Sequence, residues 1–204
     1  MKYESKKHEA DLYSTRKQPQ LIQVPMQAFL MLDGAGNPNQ EDFAQRVGVL
    51  YSLAYTIKMQ YKQAQKDSSC EYDDFTVFPL EGIWTTSNPQ DPLNKEFFQY
   101  TIMIKQPFFI TKEHFENAMQ KVLQKKPHPL LDEVRFASLE EGLCVQMLHI
   151  GPFDEEAQTF AQMDSFAQKQ RVVRMHFHHK EIYLSDPRKT APEKSRTILR
   201  YQVR

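Results

Sequence analysis

The stretch that most limits what this chain can fold into occurs twice. "MLDGAGNPNQEDFAQ" (31–45) and "MLHIGPFDEEAQTFAQ" (147–162) share one order of events. An extended segment closes on Met-Leu, a turn holds Gly and Pro, and a helix opens on acidic or amide residues and reaches Phe-Ala-Gln. The Met-Leu pairs, Met31-Leu32 and Met147-Leu148, stand 116 positions apart. Similar elements recur around each copy, which points to an internal duplication. The predicted fold class is α+β: duplicated β-α-β-β units forming a pseudo-twofold antiparallel sheet, with helices on one side and a central ligand cleft on the axis. The expected organisation is a polar lead-in over 1–19 and one domain over 20–204, with repeats of about 20–106 and 107–204.

Periodicity supports that plan. "LIQVPMQAFLMLDGAGNPNQ" reads as one extended segment ended by a Gly/Asn/Pro turn. In "EDFAQRVGVLYSLAYTIKMQYK", Phe43, Val47, Leu50, Ala54 and Ile57 recur at helical spacing, with Tyr51, Tyr55, Lys58 and Met59 on an adjoining stripe. "FTVFPLEGIWTT" and "EFFQYTIMIKQ" read as strands. In the second half, "ITKEHFENAMQKVLQKK" is a helix with Thr111 as its N-cap. "DEVRFASL" and "GLCVQMLHI" are strands, and "EEAQTFAQMDSFAQKQ" is a helix with Ala157, Phe160, Met163 and Phe166 inward. "RVVRMHFHHKEIYLS" and "RTILRYQV" supply the closing strands.

Charge and cysteine content exclude several functions. Lys plus Arg equals Asp plus Glu at 26 each, so no global field gathers nucleic acid, and direct nucleic-acid binding is not expected. Cys70 and Cys144 form neither a disulfide framework nor a CxxC, which favours a reduced, cytoplasmic location. "MKYESKKHEADLY" has no apolar stretch, and no run of about 18 apolar residues follows, so neither a signal peptide nor a membrane span is expected. Fourteen Phe and nine Tyr in a chain of mean hydropathy −0.64 leave rings available to line a pocket.

The densest chemistry is "HFHHKEIYLSDP" (176–187). Alternation on a strand places His176 and His178 with Lys180, and puts His179, Glu181 and Tyr183 on the other face. A zinc site on His176 and His178 would need a third ligand, with His149 the available histidine, and the Lys180 charge opposes a cation there. A solvated strand face is the plainer reading, and no metal or cofactor is expected. Glu181 reads in two ways: a desolvated general base or counter-charge in a cleft, or the partner of a Lys or Arg on a neighbouring strand. Trp84, the only tryptophan, is either core or a flat wall for an aromatic ligand. Tyr51 and Tyr55 suit a half-wet pocket rim. Phe29, Tyr100 and Met147, all on predicted strands, complete the expected lining. No GxSxG, GxxxxGK[ST] or GxGxxG is present.

"VPMQAFLMLDGAGNPN", "LYSLAYTIKM", "PLEGIWTT", "MIKQPFFIT", "EGLCVQMLHIGPFDEE" and "HHKEIYLSDPRKTAPEKSRTILR" occur in that order, and together they resemble the GyrI-like small-molecule-binding family in its stand-alone form. The resemblance spans about residues 20–204. It implies a duplicated β-α-β-β fold around a ligand cleft, as seen in effector-binding domains of multidrug-responsive regulators. It also implies one of two functions: hydrolysis of cyclopropane-bearing DNA-alkylating genotoxins, or non-catalytic drug binding and sensing. The family's pocket carboxylate falls on Glu181, with Tyr183 as the aromatic beside it, and its aromatic wall on Trp84. Where the family has a second tryptophan this chain has Thr85, and Lys180 stands as an extra residue between His179 and Glu181. The implied partner is a flat, hydrophobic or aromatic small molecule, neutral or cationic. Nothing identifies a protein partner. In the implied mechanism Glu181 activates a water, Tyr183 or Tyr55 donates to the developing oxyanion, and Trp84 stacks on the ligand.

Overall fold

The computed structural model describes residues 1–66, 68–186 and 189–204. Asp67 and the Pro187–Arg188 part of the "SDPRK" stretch lie outside the described residues. The first half of the chain runs β1 (Lys2–Tyr3), α1 (Ser5–His8), β2 (Gln20–Val24), β3 (Gln27–Ala35), α2 (Glu41–Ala64), β4 (Asp74–Phe75), β5 (Leu80–Thr86) and β6 (Phe98–Gln106). The second half adds α3 (Lys112–Lys125), β7 (Arg135–Leu139), β8 (Gly142–Ile150), α4 (Glu156–Gln170), β9 (His179–Tyr183) and β10 (Arg196–Gln202).

Eight strands form one sheet in the order β2-β8-β10-β9-β5-β6-β3-β7, with every neighbouring pair antiparallel. Exchanging β2 with β7, β3 with β8, β5 with β9 and β6 with β10 reverses this order onto itself. The pseudo-twofold axis therefore passes between β5 and β9.

The expected single segment over 21–33 is two strands, because Pro25 supplies no N–H to a ladder and ends β2. That break shapes the sheet. Strands β2 and β3 occupy the first and seventh places in the order, yet only Pro25 and Met26 connect them. Six inter-strand steps would separate them by about 29 Å if the sheet were flat. Three Cα–Cα steps reach at most about 11 Å. Strands β7 and β8, in the eighth and second places, are joined by Glu140 and Glu141 under the same constraint. The sheet must curl until its two ends nearly meet.

Register assigns the faces, since antiparallel partners share one. The row Met147–Leu199–Glu181–Gly82–Ile102–Leu32 crosses six strands on the face that carries the helices. On that face α2 buries Leu50, Leu53, Ala54 and Ile57, and α4 buries Met163 and Ala167. Met31 pairs with Met103 on the inner face of the curl. Met31 and Met147 thus point to opposite faces, so the shared letters at 116 positions are not structural equivalents. The duplication rests on topology instead.

The inner face buries charge. Lys180, Arg200, Glu81 and Glu141 are each at most 8% exposed. The Lys180 ammonium lies 2.8 Å from both Glu81 and Glu141, and Arg200 lies 3.1 Å from Glu141. Lys180 also sits 4.5 Å above the Phe29 ring, although β9 and β3 are three strands apart. Burial works to raise the Glu141 carboxyl, but Lys180 and Arg200 outweigh it and hold the group below its ordinary value. Two cations and two carboxylates balance, as burial of ions requires.

The lead-in is part of this packing. Strand β1 pairs in parallel with β4, Tyr3 and Tyr13 join the main core, and the Leu12 carbonyl accepts from Arg200. Tyr13 donates to Glu81, and Glu9 pairs with Lys105.

Candidate functional site

Strand β9 carries the centre of the site. His179, Glu181 and Tyr183 face the helices, while Lys180 and Ile182 face inward. Lys180 therefore occupies an ordinary alternating position: it causes no slip, and its ion pairs fix β9 in register. Opposite Glu181 on β5 stands Gly82. A Cβ there would lie 2.6 Å from Nε1 of Trp84, so the glycine lets the indole lie down along β5. The indole N–H then donates to the Tyr183 hydroxyl at 2.7 Å. Phe43, Phe98 and Tyr100 surround the indole, with Tyr100 at 4.9 Å between centroids.

The Glu181 carboxylate accepts from Nε2 of His179 at 2.9 Å, and the Tyr183 hydroxyl lies beside it. Burial, followed by the Glu181 charge, pushes the Tyr183 hydroxyl well above its ordinary range. Its proton stays on Tyr183.

A second carboxyl arrives from α4. The expected inward stripe used Ala157, but Ala157 is exposed, and the inward positions are Glu156, Thr159, Met163 and Ala167 at spacings of three, four and four. Glu156 is 8% exposed, and its Oε1 has no hydrogen-bond partner. Ligand atoms of Glu156, His179 and Glu181 all lie within 4.8 Å of one another. Burial first, and then the Glu181 and Asp154 charges, push the Glu156 carboxyl up to about 10. A carboxyl raised this far keeps its proton at neutral pH. His149, also buried, anchors the start of α4: Nε2 donates to the Pro152 carbonyl at 3.1 Å, leaving Nδ1 to accept from Thr159 at 2.9 Å.

Of the expected site residues, the structure brings together Glu181, Tyr183, Trp84 and Tyr100. Tyr51 and Tyr55 lie with tilted rings 6.2 Å apart on α2, about 12 and 18 Å along the helix axis from Phe43, which touches Trp84. Tyr55 is 54% exposed, as a rim residue would be. Two expectations do not hold in the geometry. Phe29 points to the inner face beneath Lys180, because it pairs with Lys105 across β6 and lies out of phase with Leu30 and Leu32. Met147 packs under α4 against Met163, two strands from Glu181. His176 and His178 precede β9 and stack on each other at 4.7 Å, apart from the carboxyl pair. Residues the sequence reading missed are Glu156, Gly82 and Phe43. A polar residue on the apolar phase set by Met163 and Ala167 was the available signal for Glu156.

A hollow of about 160 Å³, lined by Lys95, Pro152, Phe153, Thr190, Pro192 and Ser195, adjoins the site. Phe153 forms its wall and meets Tyr183 edge-on at 5.9 Å.

Residues 17–204 match the model of the GyrI-like small molecule binding domain. The chain belongs to the GyrI-like family. A hydrolase from Listeria innocua is similar at 39% identity over the whole of both chains, with a TM-score of 0.90. An uncharacterized conserved protein from the same organism is similar at 40% identity, over 99% of this chain and all of that one, with a TM-score of 0.88. The C-terminal domain of EcmrR shares the fold at 10% identity, covering 92% of this chain and 97% of its own, with a TM-score of 0.51. A comparison with curated proteins finds no match. Among the described residues no helix is long and apolar enough to cross a membrane.

Proposed function

We propose that this GyrI-like protein adds water across strained cyclopropane-type electrophiles bound against Trp84. The observation that carries the reading is the carboxyl pair: Glu181, an acceptor held by His179 with Tyr183 alongside, next to a buried Glu156 whose proton is retained at neutral pH. In a cyclopropane conjugated to a carbonyl, Glu181 takes a proton from water as the water oxygen bonds to a ring carbon. The strained C–C bond breaks, and its electron pair moves onto the carbonyl oxygen. Glu156 protonates that oxygen. The proton gained by Glu181 then passes to Glu156, within the 4.8 Å that separates their atoms, and restores the pair. One base and one acid each contribute a factor of about 10²–10⁴.

This assignment differs from the simpler one in which Tyr183 donates to the oxyanion. The Tyr183 oxygen accepts from the Trp84 N–H beside Glu181, so Tyr183 positions the base. A ligand of drug size needs about 300 Å³ or more, so Phe153, 42% exposed, must swing away to join the adjoining hollow to the site.

The test is incubation with a cyclopropane-bearing alkylator and mass spectrometry of the products. Ring-opened product over many turnovers, lost in Glu181→Gln, supports hydrolysis. Saturable binding without product supports a sequestering or sensing protein instead.

A further inference from the structure

We infer that Glu156, His179 and Glu181 form a binding site for a divalent first-row transition ion of the zinc class. Three donors from two elements, β9 and the first turn of α4, converge within 4.8 Å. One of them, Glu156, is buried, brings a carboxylate oxygen to within 4.8 Å of the other donors, and has an oxygen, Oε1, with no hydrogen-bond partner. Among the described residues no Lys or Arg forms an ion pair with Glu156 or Glu181. Lys180, next to both His179 and Glu181 in the chain, faces the other side of the sheet and is matched by Glu81 and Glu141.

The donor set selects the class of ion. An imidazole with two carboxylates suits zinc or manganese better than magnesium or calcium, which want more oxygens. An outer layer surrounds the donors: Tyr183, fixed by the Trp84 N–H, lies beside Glu181, while Phe160 packs edge-on against His179 at 4.8 Å. Binding would move His179 Nε2 from Glu181 to the metal and tie α4 to the sheet. Both carboxylates would then be occupied. If the hydrolysis reading above holds, the ion inhibits it by removing base and acid together.

The experiment uses tag-free full-length protein stripped with a chelator and titrated with zinc. Heat, bound metal and emission of the single tryptophan are followed together, since Trp84 donates to Tyr183, which lies beside Glu181. The expected result is one zinc per chain, a change in Trp84 emission at the same stoichiometry, and at least about tenfold weaker binding in Glu156→Gln and in His179→Ala. His176→Ala should bind as the wild type does. Folded protein that takes up no zinc at micromolar concentrations overturns the inference, and so does binding that survives Glu156→Gln or is lost in His176→Ala. These readouts need no substrate: a protein that binds zinc but opens no ring fails the hydrolysis reading alone, and one that opens rings but binds no zinc fails this inference alone.

Discussion

Replacing Glu156 by glutamine should stabilise the protein, and by an amount that grows with pH. The folded carboxyl titrates at about 10 against an ordinary 4.5, with burial the first cause and the Glu181 charge the second. Between those values the folded state holds a proton that the unfolded state has released, so the wild type loses stability as pH rises. At pH 7 the gap above 4.5 is about 2.5 units, and at 1.36 kcal/mol per unit the penalty is at most about 3.4 kcal/mol. Glutamine keeps the shape of the neutral carboxyl and never ionises. The variant should match the wild type near pH 4.5 to 5 and gain on it by up to about 1.4 kcal/mol per unit above that. Urea unfolding of both proteins at several pH values between 5 and 8, with chelator present, measures the difference. A variant less stable than wild type at pH 7, or a difference independent of pH, would refute the protonated carboxyl.

Three other outcomes follow from the packing. Lys180→Met leaves Glu81 and Glu141 buried with one fewer cation and should cost about 3–5 kcal/mol in urea unfolding. Gly82→Ala drives a Cβ into the indole of Trp84, so tryptophan emission should change, and the loss in stability should be about 1–3 kcal/mol. Deleting residues 1–13 removes buried Tyr3 and Tyr13, each worth about 1.5–3 kcal/mol, and should lower the thermal midpoint and expose the sheet ends to protease.

The helices and most strands were legible because their residues obey one period each. Leu50, Ala54 and Ile57 mark α2, and the structure adds Val49, Leu53 and Tyr61 to the same buried side. Thr111 does precede α3, where its N–H donates to His114. The pseudo-twofold arrangement was legible in element order, even though the residues that suggested it fall on opposite faces. The curl was not legible, since it follows from which strands pair, and pairing between β2 and β8 leaves no local mark in either strand. The buried ions stayed hidden for the same reason: Lys180 and Arg200 find Glu141 only after β7, β8, β9 and β10 have come together. Glu181 and Tyr183 could be picked out because alternation along β9 puts them on one face and the family blocks fall on them, and Trp84 because it is the only tryptophan. Phe29 was misassigned because alternation within one strand gives two faces without saying which one meets the helices. Glu156 was lost to a choice of helical phase, one position away from Ala157.

The measurement that bears most directly on the carboxyl pair is hydrolysis of a cyclopropane-bearing alkylator in heavy-oxygen water. The account predicts many turnovers of a ring-opened alcohol carrying the heavy oxygen on the former ring carbon, and a fall of about 10²–10⁴ in rate for Glu181→Gln. No product, a stable adduct on the protein, or an undiminished rate in Glu181→Gln would contradict it.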